Sequence, residues 1–165
     1  MLRSRRRRQS QPVVLEQFLT FNVRQEQFAV PLAQAYRVIP LPPIYGDPHR
    51  RGIGLVTYEN REILVIDISR CLFDDPLSAS ETQKLKFLLI LRPHLEEEWL
   101  GLPLTDPPVI ERIPKDAIHP IPSNYLHWGS IHNVSSLMVS SQEDQHASPI
   151  FILDIAQILH TLKAR

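Results

Sequence analysis

Seven histidines, at positions 49, 94, 119, 127, 132, 146 and 160, are the first residues to weigh for chemistry. A catalytic zinc site needs two imidazoles on one helical face, as in H-E-x-x-H, or histidines completed by paired thiolates. Neither pattern occurs. His127 and His132 stand five apart, out of phase with one face of a helix or of a strand, and Cys71 is the single cysteine. No G-x-S-x-G turn presents a nucleophilic serine, and no glycine-rich phosphate loop or dinucleotide fingerprint is present. Cys71 has no histidine close in sequence and reads as buried packing. Asp67 and Asp154 remain, two carboxylates in matching contexts. They admit two readings, a catalytic pair or two helix caps. Each stands between an apolar run and residues at helical spacing, which favours capping of free backbone N–H groups. The expectation is a protein with no catalysis, no cofactor and no metal.

The elements around those aspartates repeat. Ile63-Leu64-Val65-Ile66-Asp67 leads into Ile68 to Leu72, and Ile150-Phe151-Ile152-Leu153-Asp154 leads into Ile155 to Leu159. Runs this short and rich in β-branched residues suit strands covered on both faces. Upstream of each lies a matched hairpin. Phe18-Leu19-Thr20-Phe21 is followed by Phe28-Ala29-Val30-Pro31-Leu32, and Phe87-Leu88-Leu89-Ile90 by Leu100-Gly101-Leu102-Pro103-Leu104. A single echo arises by chance; two matched segments in the same order favour duplication.

The chain has 165 residues, 43% of them hydrophobic, enough to bury a core, with 18 basic and 18 acidic residues in balance. Arg3, Arg5, Arg6, Arg7 and Arg8 supply five of the positive charges, leaving 13 basic against 18 acidic residues, a net −5, on the remainder. Residues 1–14 read as a solvated basic tail; the functional alternative is a weak anchor for anionic lipid or RNA. No apolar run approaches the ~20 residues that span a bilayer. The reading is a cytoplasmic protein, which the unpaired cysteine suits.

Fifteen prolines against five glycines put many strand ends and connections in proline. Leu41 to Pro48 is irregular, Ile53–Tyr58 and Glu62–Ile66 form a hairpin, and Asp74 to Lys84 reads as a loop between the halves. Val109–Ile113 and Ile118–Pro122 are extended, and Ser141 to Ser148 is a polar loop. Many short strands and few helices predict a mainly β fold. It would hold two small five-stranded barrels with short helices and a C-terminal helix. The expected organisation is a tail over 1–14 and one domain over 15–165, with halves at 15–75 and 84–165.

In this order of elements the chain resembles the CheW-like domain, the coupling domain of bacterial chemotaxis. The matching residues are Phe18 to Phe21, Phe28 to Leu32, Arg37-Val38-Ile39, Arg51-Gly52-Ile53, Ile63 to Ile68, Gly101 to Leu104 and Phe151 to Leu159. The resemblance implies paired SH3-like barrels without an active site. It also implies an adaptor between chemoreceptors and the regulatory domain of a CheA-like histidine kinase, itself of the same fold. The setting would be chemotaxis, pilus motility or a gene-regulatory array, with recruitment to membrane receptor arrays.

Departures from the family pattern are specific. The usual Leu-Arg-Gly turn falls on Thr57 and Tyr58 counted from Gly52, and on Glu59 counted from Asp67. The connection is two residues longer, which predicts that Tyr58 to Glu62 project into solvent, and Arg61 alone could replace the charge. A frequent glutamate is Arg37 here, and Leu104-Thr105 stands for a usual valine-aspartate. The partner-binding candidates are therefore Arg37, Val38, Arg51, Thr57, Tyr58, Arg61, Leu102 and Leu104. For Arg51 the alternative is a solvated charge whose stem covers apolar surface. A competing function is a small nucleic-acid-binding barrel that uses the arginine tail. Against it, Phe18, Phe21, Phe28, Phe87 and Trp99 fall on predicted core strands, and the folded part is net negative.

Overall fold

The computed structural model describes residues 11–48, 52–93, 98–127, 131–140 and 148–164. The arginines at 3 and 5–8, Arg51, residues 94–97, Trp128 and residues 141–147 lie outside the described residues.

Two six-stranded sheets make up the fold. In the first, β1 (Leu15–Val23) and β2 (Glu26–Pro31) join β9 (Val109–Pro114), β10 (Ile118–Pro120), β11 (Ser135–Val139) and β12 (Ile150–Leu153), in the order β10-β11-β12-β2-β1-β9. The second takes β3 (Ala35–Pro40), β4 (Tyr45–Gly46), β5 (Ile53–Tyr58), β6 (Arg61–Ile66), β7 (Phe87–Leu91) and β8 (Leu100–Leu104), in the order β3-β7-β8-β6-β5-β4. In each sheet the two outermost strands are consecutive in the chain. Flat, a six-stranded sheet would hold its edges about 24 Å apart. The three residues from β9 to β10 and the four from β3 to β4 reach at most about 15 and 18 Å. Each sheet must therefore curl into a barrel, and we call these barrels A and B in the order given.

The barrels are not the sequence halves 15–75 and 84–165. β1 and β2 close barrel A with strands of the second half, and β7 and β8 close barrel B with strands of the first. Each aspartate-terminated strand pairs in parallel with a strand of the other half: β6 with β8 (Leu64 opposite Leu100) and β12 with β2 (Phe151 opposite Phe28). The remaining neighbours pair antiparallel, β1 with β2 through Phe18 opposite Pro31, and β7 with β8 through Leu88 opposite Pro103. Since Pro31 answers Pro103, Phe18 corresponds to Leu88 and not to Phe87, a one-residue correction to the repeat.

Strand alternation explains the unbroken apolar runs. On β7, Leu88 and Ile90 fill barrel B, while Leu89 and Leu91 face the space between the barrels. On β12, Ile152 fills barrel A, while Phe151 and Leu153 face that same space. Among the described residues the shared core holds 20 buried residues, against six inside barrel B and four inside barrel A. Most apolar burial is thus between the barrels, not within either.

Three α-helices with both ends among the described residues flank the sheets. Asp67 and Asp154 cap α1 (Ile68–Phe73) and α3 (Ile155–Lys163), each accepting from the N–H three residues on, at 3.3 and 3.1 Å. The segment expected as a plain loop contains α2 (Ala79–Gln83), opened by a capping box of Ser78 and Glu81. The Ser78 backbone N–H holds the Glu81 carboxyl below its ordinary range. Ser78-Ala79-Ser80-Glu81 is a legible start signal; the polar composition around it masked the signal.

Candidate functional site

One end of barrel B gathers an aromatic and cationic cluster, built by two local departures from regular strand. The first is a bulge in β3. Ala35 lies opposite Leu91 and Arg37 opposite Ile90, which leaves Tyr36 as the extra residue. In an unbroken strand the side chains of Tyr36 and Arg37 would leave on opposite faces. A bulge re-aims them, and both reach Glu59. The Tyr36 hydroxyl donates to Oε2 at 3.1 Å and Arg37 Nη1 donates to Oε1 at 3.1 Å.

The second departure is the turn between β5 and β6. Glu59 and Asn60 have φ of 49° and 61°, the left-handed pair of a two-residue hairpin turn. Asparagine tolerates that backbone; glutamate does so poorly. Two side-chain partners on its carboxylate offset that cost. The extra residues therefore lengthen the two strands and do not make a floppy loop. Tyr58 is correspondingly half-buried against the barrel B interior, not pushed into solvent, and its hydroxyl accepts from Arg37 Nη1 at 2.8 Å. That hydrogen bond first, then the charge interactions with Tyr58 and with Glu59, raise the pKa of Arg37 above its usual value.

Around this pair lie further cations. Tyr36 and Trp99 meet edge to face with centroids 5.0 Å apart. The Arg61 guanidinium sits 4.5 Å from the Trp99 centroid and 5.9 Å from that of Tyr36. Arg37 and Arg92 lie 5.5 and 5.3 Å from the Tyr36 ring. Arg92 is held at its base, its backbone N–H donating to Gln34 O at 2.7 Å. A guanidinium packed on a ring face keeps its N–H edge for other acceptors.

Of the residues singled out in the sequence, Arg37, Tyr58 and Arg61 come together here. Thr57 is exposed but lies on the opposite face of β5, alongside Ile53 and Leu55. Val38 is exposed on β3, one residue from the cluster. Arg51 lies outside the described residues. Leu102 and Leu104 are 0% and 3% exposed and belong to the core between the barrels, so they offer no surface to a partner. Their strand is covered on both faces, and its glycine-hydrophobic pattern reports that burial. Three members were missed: Tyr36, Arg92 and Trp99. Trp99, expected on a core strand, is only half-buried and precedes β8. No spacing in the sequence places Arg92 or Trp99 over a tyrosine some 60 residues earlier.

A second feature is a groove of about 500 Å³ where the barrels meet. Pro31 and Gln34, Leu137 and Ile155, and Arg92 and Pro93 are among the residues that line it, so that Arg92 belongs to both the groove and the cluster. Leu137 is 39% exposed on it. Exposed apolar residues also mark each barrel: Tyr45 opposite Leu55 on barrel B, and Val109 with Ile110 on barrel A.

Among the described residues no group of three or more histidine, cysteine, aspartate or glutamate side chains could hold a metal ion. Also among the described residues, no helix is long and apolar enough to cross a membrane.

Comparison with known proteins gives one consistent result. The model of the CheW-like domain matches residues 17–163. The crystal structure of the scaffolding protein TtCheW from Thermoanaerobacter tengcongensis matches with a TM-score of 0.65 at 15% identity, over 89% of this chain and 88% of that one. At this identity the likeness is one of fold. Among curated proteins no sequence matches the chain significantly.

Proposed function

The chain belongs to the CheW-like family of scaffolding domains in chemotaxis signalling, and we propose that it couples a chemoreceptor to the regulatory domain of a CheA-like histidine kinase. CheW-like scaffolding proteins are non-catalytic, so the work of this chain is to hold partners in register. The observation that carries the reading is the family match across nearly the whole chain, through both barrels. Two surfaces of different shape support it. The groove between the barrels is concave and partly apolar, a form that receives an extended or helical element of a receptor. The strand surface of barrel B gathers Arg37, Tyr58 and Arg61, residue types enriched at binding hot spots, and in this reading it would meet the kinase. The protein would work in the cytoplasm and reach membrane arrays through its partners.

A pairwise binding assay with the purified kinase regulatory domain and a soluble receptor fragment tests this. Binding of both is expected, with Leu137→Asp weakening the receptor fragment at least tenfold and leaving the kinase domain unaffected. Absence of binding to both partners at high micromolar concentration would overturn the reading.

A further inference from the structure

The cluster on barrel B has a sign. Among its described members, Arg37, Arg61 and Arg92 are gathered about Tyr36 and Trp99, and Glu59 is the single carboxylate bonded to them. Glu59 is already engaged by Tyr36 and Arg37. Glu62 follows Arg61 on β6 and points to the other face by strand alternation. Glu98 is exposed beside Trp99. Arg37 Nη1 is spent on Tyr58 and Glu59, and Arg92 Nε donates to Ala35 O at 3.4 Å. The remaining guanidinium N–H groups can grip a carboxylate with two parallel hydrogen bonds. Arg37 is half exposed, with 50% of its side chain accessible, so these donors are available to a partner. Resemblance to the family leads one to expect a glutamate at position 37; the arginine inverts the charge there.

We propose that the Arg37–Arg61–Arg92 cluster, seated on Tyr36 and Trp99, docks an acidic surface of the kinase regulatory domain and so sets which kinase this adaptor accepts. The proposal rests on the adaptor reading and deepens it. Charge complementarity defines the occupant: a surface presenting aspartate or glutamate carboxylates, with an apolar side chain beside them to cover the Trp99 ring. A kinase carrying basic residues at that place would be rejected, because like charges brought together in a desolvated contact are strongly unfavourable. Glu96 and Glu97 stand between Arg92 and Trp99 in the chain, so the full chain, with them in place, is the molecule to test.

The test measures affinity of the full chain for its kinase regulatory domain and for a receptor fragment, at several NaCl concentrations. Four proteins are compared: wild type, Arg37→Glu, Arg61→Glu and Arg61→Lys. The proposal expects each reversal to weaken the kinase domain at least tenfold and to flatten the salt dependence. Arg61→Lys, which keeps charge but loses the planar stack, should fall between. Far-ultraviolet circular dichroism should match wild type in all three variants, and so should the unfolding midpoint of the two Arg61 variants. Arg37→Glu removes one partner of Glu59 and lowers the midpoint modestly, so its binding is compared at a temperature where it is fully folded. Wild-type binding with unchanged affinity and salt slope in both reversals would overturn this proposal and leave the adaptor reading standing. A loss confined to the receptor fragment would overturn the assignment to the kinase. Wild-type binding to neither partner would overturn both.

Discussion

The two strand-aspartate-helix segments, β6 to α1 in barrel B and β12 to α3 in barrel A, share one pattern and differ in burden. Counterparts occupy counterpart places. Val65 fills barrel B as Ile152 fills barrel A, and Ile66 and Leu153 both face the space between the barrels. Asp67, however, is 3% exposed and accepts a second hydrogen bond, from Leu77 N–H at 3.0 Å to its other oxygen. Asp154 is half-buried at the groove and caps its own helix. Asp67 thus ties the start of the connection between the halves to α1. A repeated sequence segment fixes the local geometry; its neighbours decide how much stability passes through it.

The largest expected difference lies at Phe151 and its counterpart Leu64. Phe151 is 0% exposed in the shared core, beside Phe28 at a centroid distance of 6.1 Å. Leu64 packs on the same core but is only partly buried. Phe151→Ala should cost about 4 kcal/mol and Leu64→Ala about 2 kcal/mol in urea denaturation. Equal costs would mean that the two segments share the core evenly.

Next come the aspartates. Asp154→Ala removes one cap and should cost about 1 kcal/mol. Asp67→Ala also strands the Leu77 N–H and should cost about 2–3 kcal/mol, since hydrogen bonds to a charged acceptor exceed neutral ones. Denaturation midpoints of the two variants measure this directly. A smaller loss at Asp67 than at Asp154 would show that its second bond adds nothing.

The last comparison concerns Gly101, whose counterpart in barrel A is Ala29. A Cβ at position 101 would lie 2.9 Å from Leu88 Cδ1 and 3.1 Å from Ile63 Cγ2. Gly101→Ala should therefore destabilise by about 1–2 kcal/mol, although alanine is the native residue at the equivalent place. Thermal unfolding of this variant tells whether barrel B is filled more tightly than barrel A there. A stabilised variant would mean that Leu88 and Ile63 yield readily and that glycine there only adds chain entropy.

Much of this was legible in the chain. Runs such as Phe87 to Leu91 state strands buried on both faces. Asp67 and Asp154 state the caps, and proline density states the connections, because these effects act within a few residues of one another. The sequence determined that there are two matched sets of elements, though it left the repeat one residue out of step and passed over α2. It did not determine which strands share a barrel. Leu64 pairs with Leu100 and Phe151 with Phe28, yet an apolar strand reads the same whichever partner it meets. Exchange between the halves is settled by the large core that it builds between the barrels. Nor could the sequence assemble the cluster. Tyr36 and Arg37 reach Glu59 together through a bulge, and Arg92 and Trp99 arrive from either side of another hairpin. Bulges and hairpin ends are placed by the register of neighbouring strands, so the grouping of these side chains belongs to the tertiary structure alone.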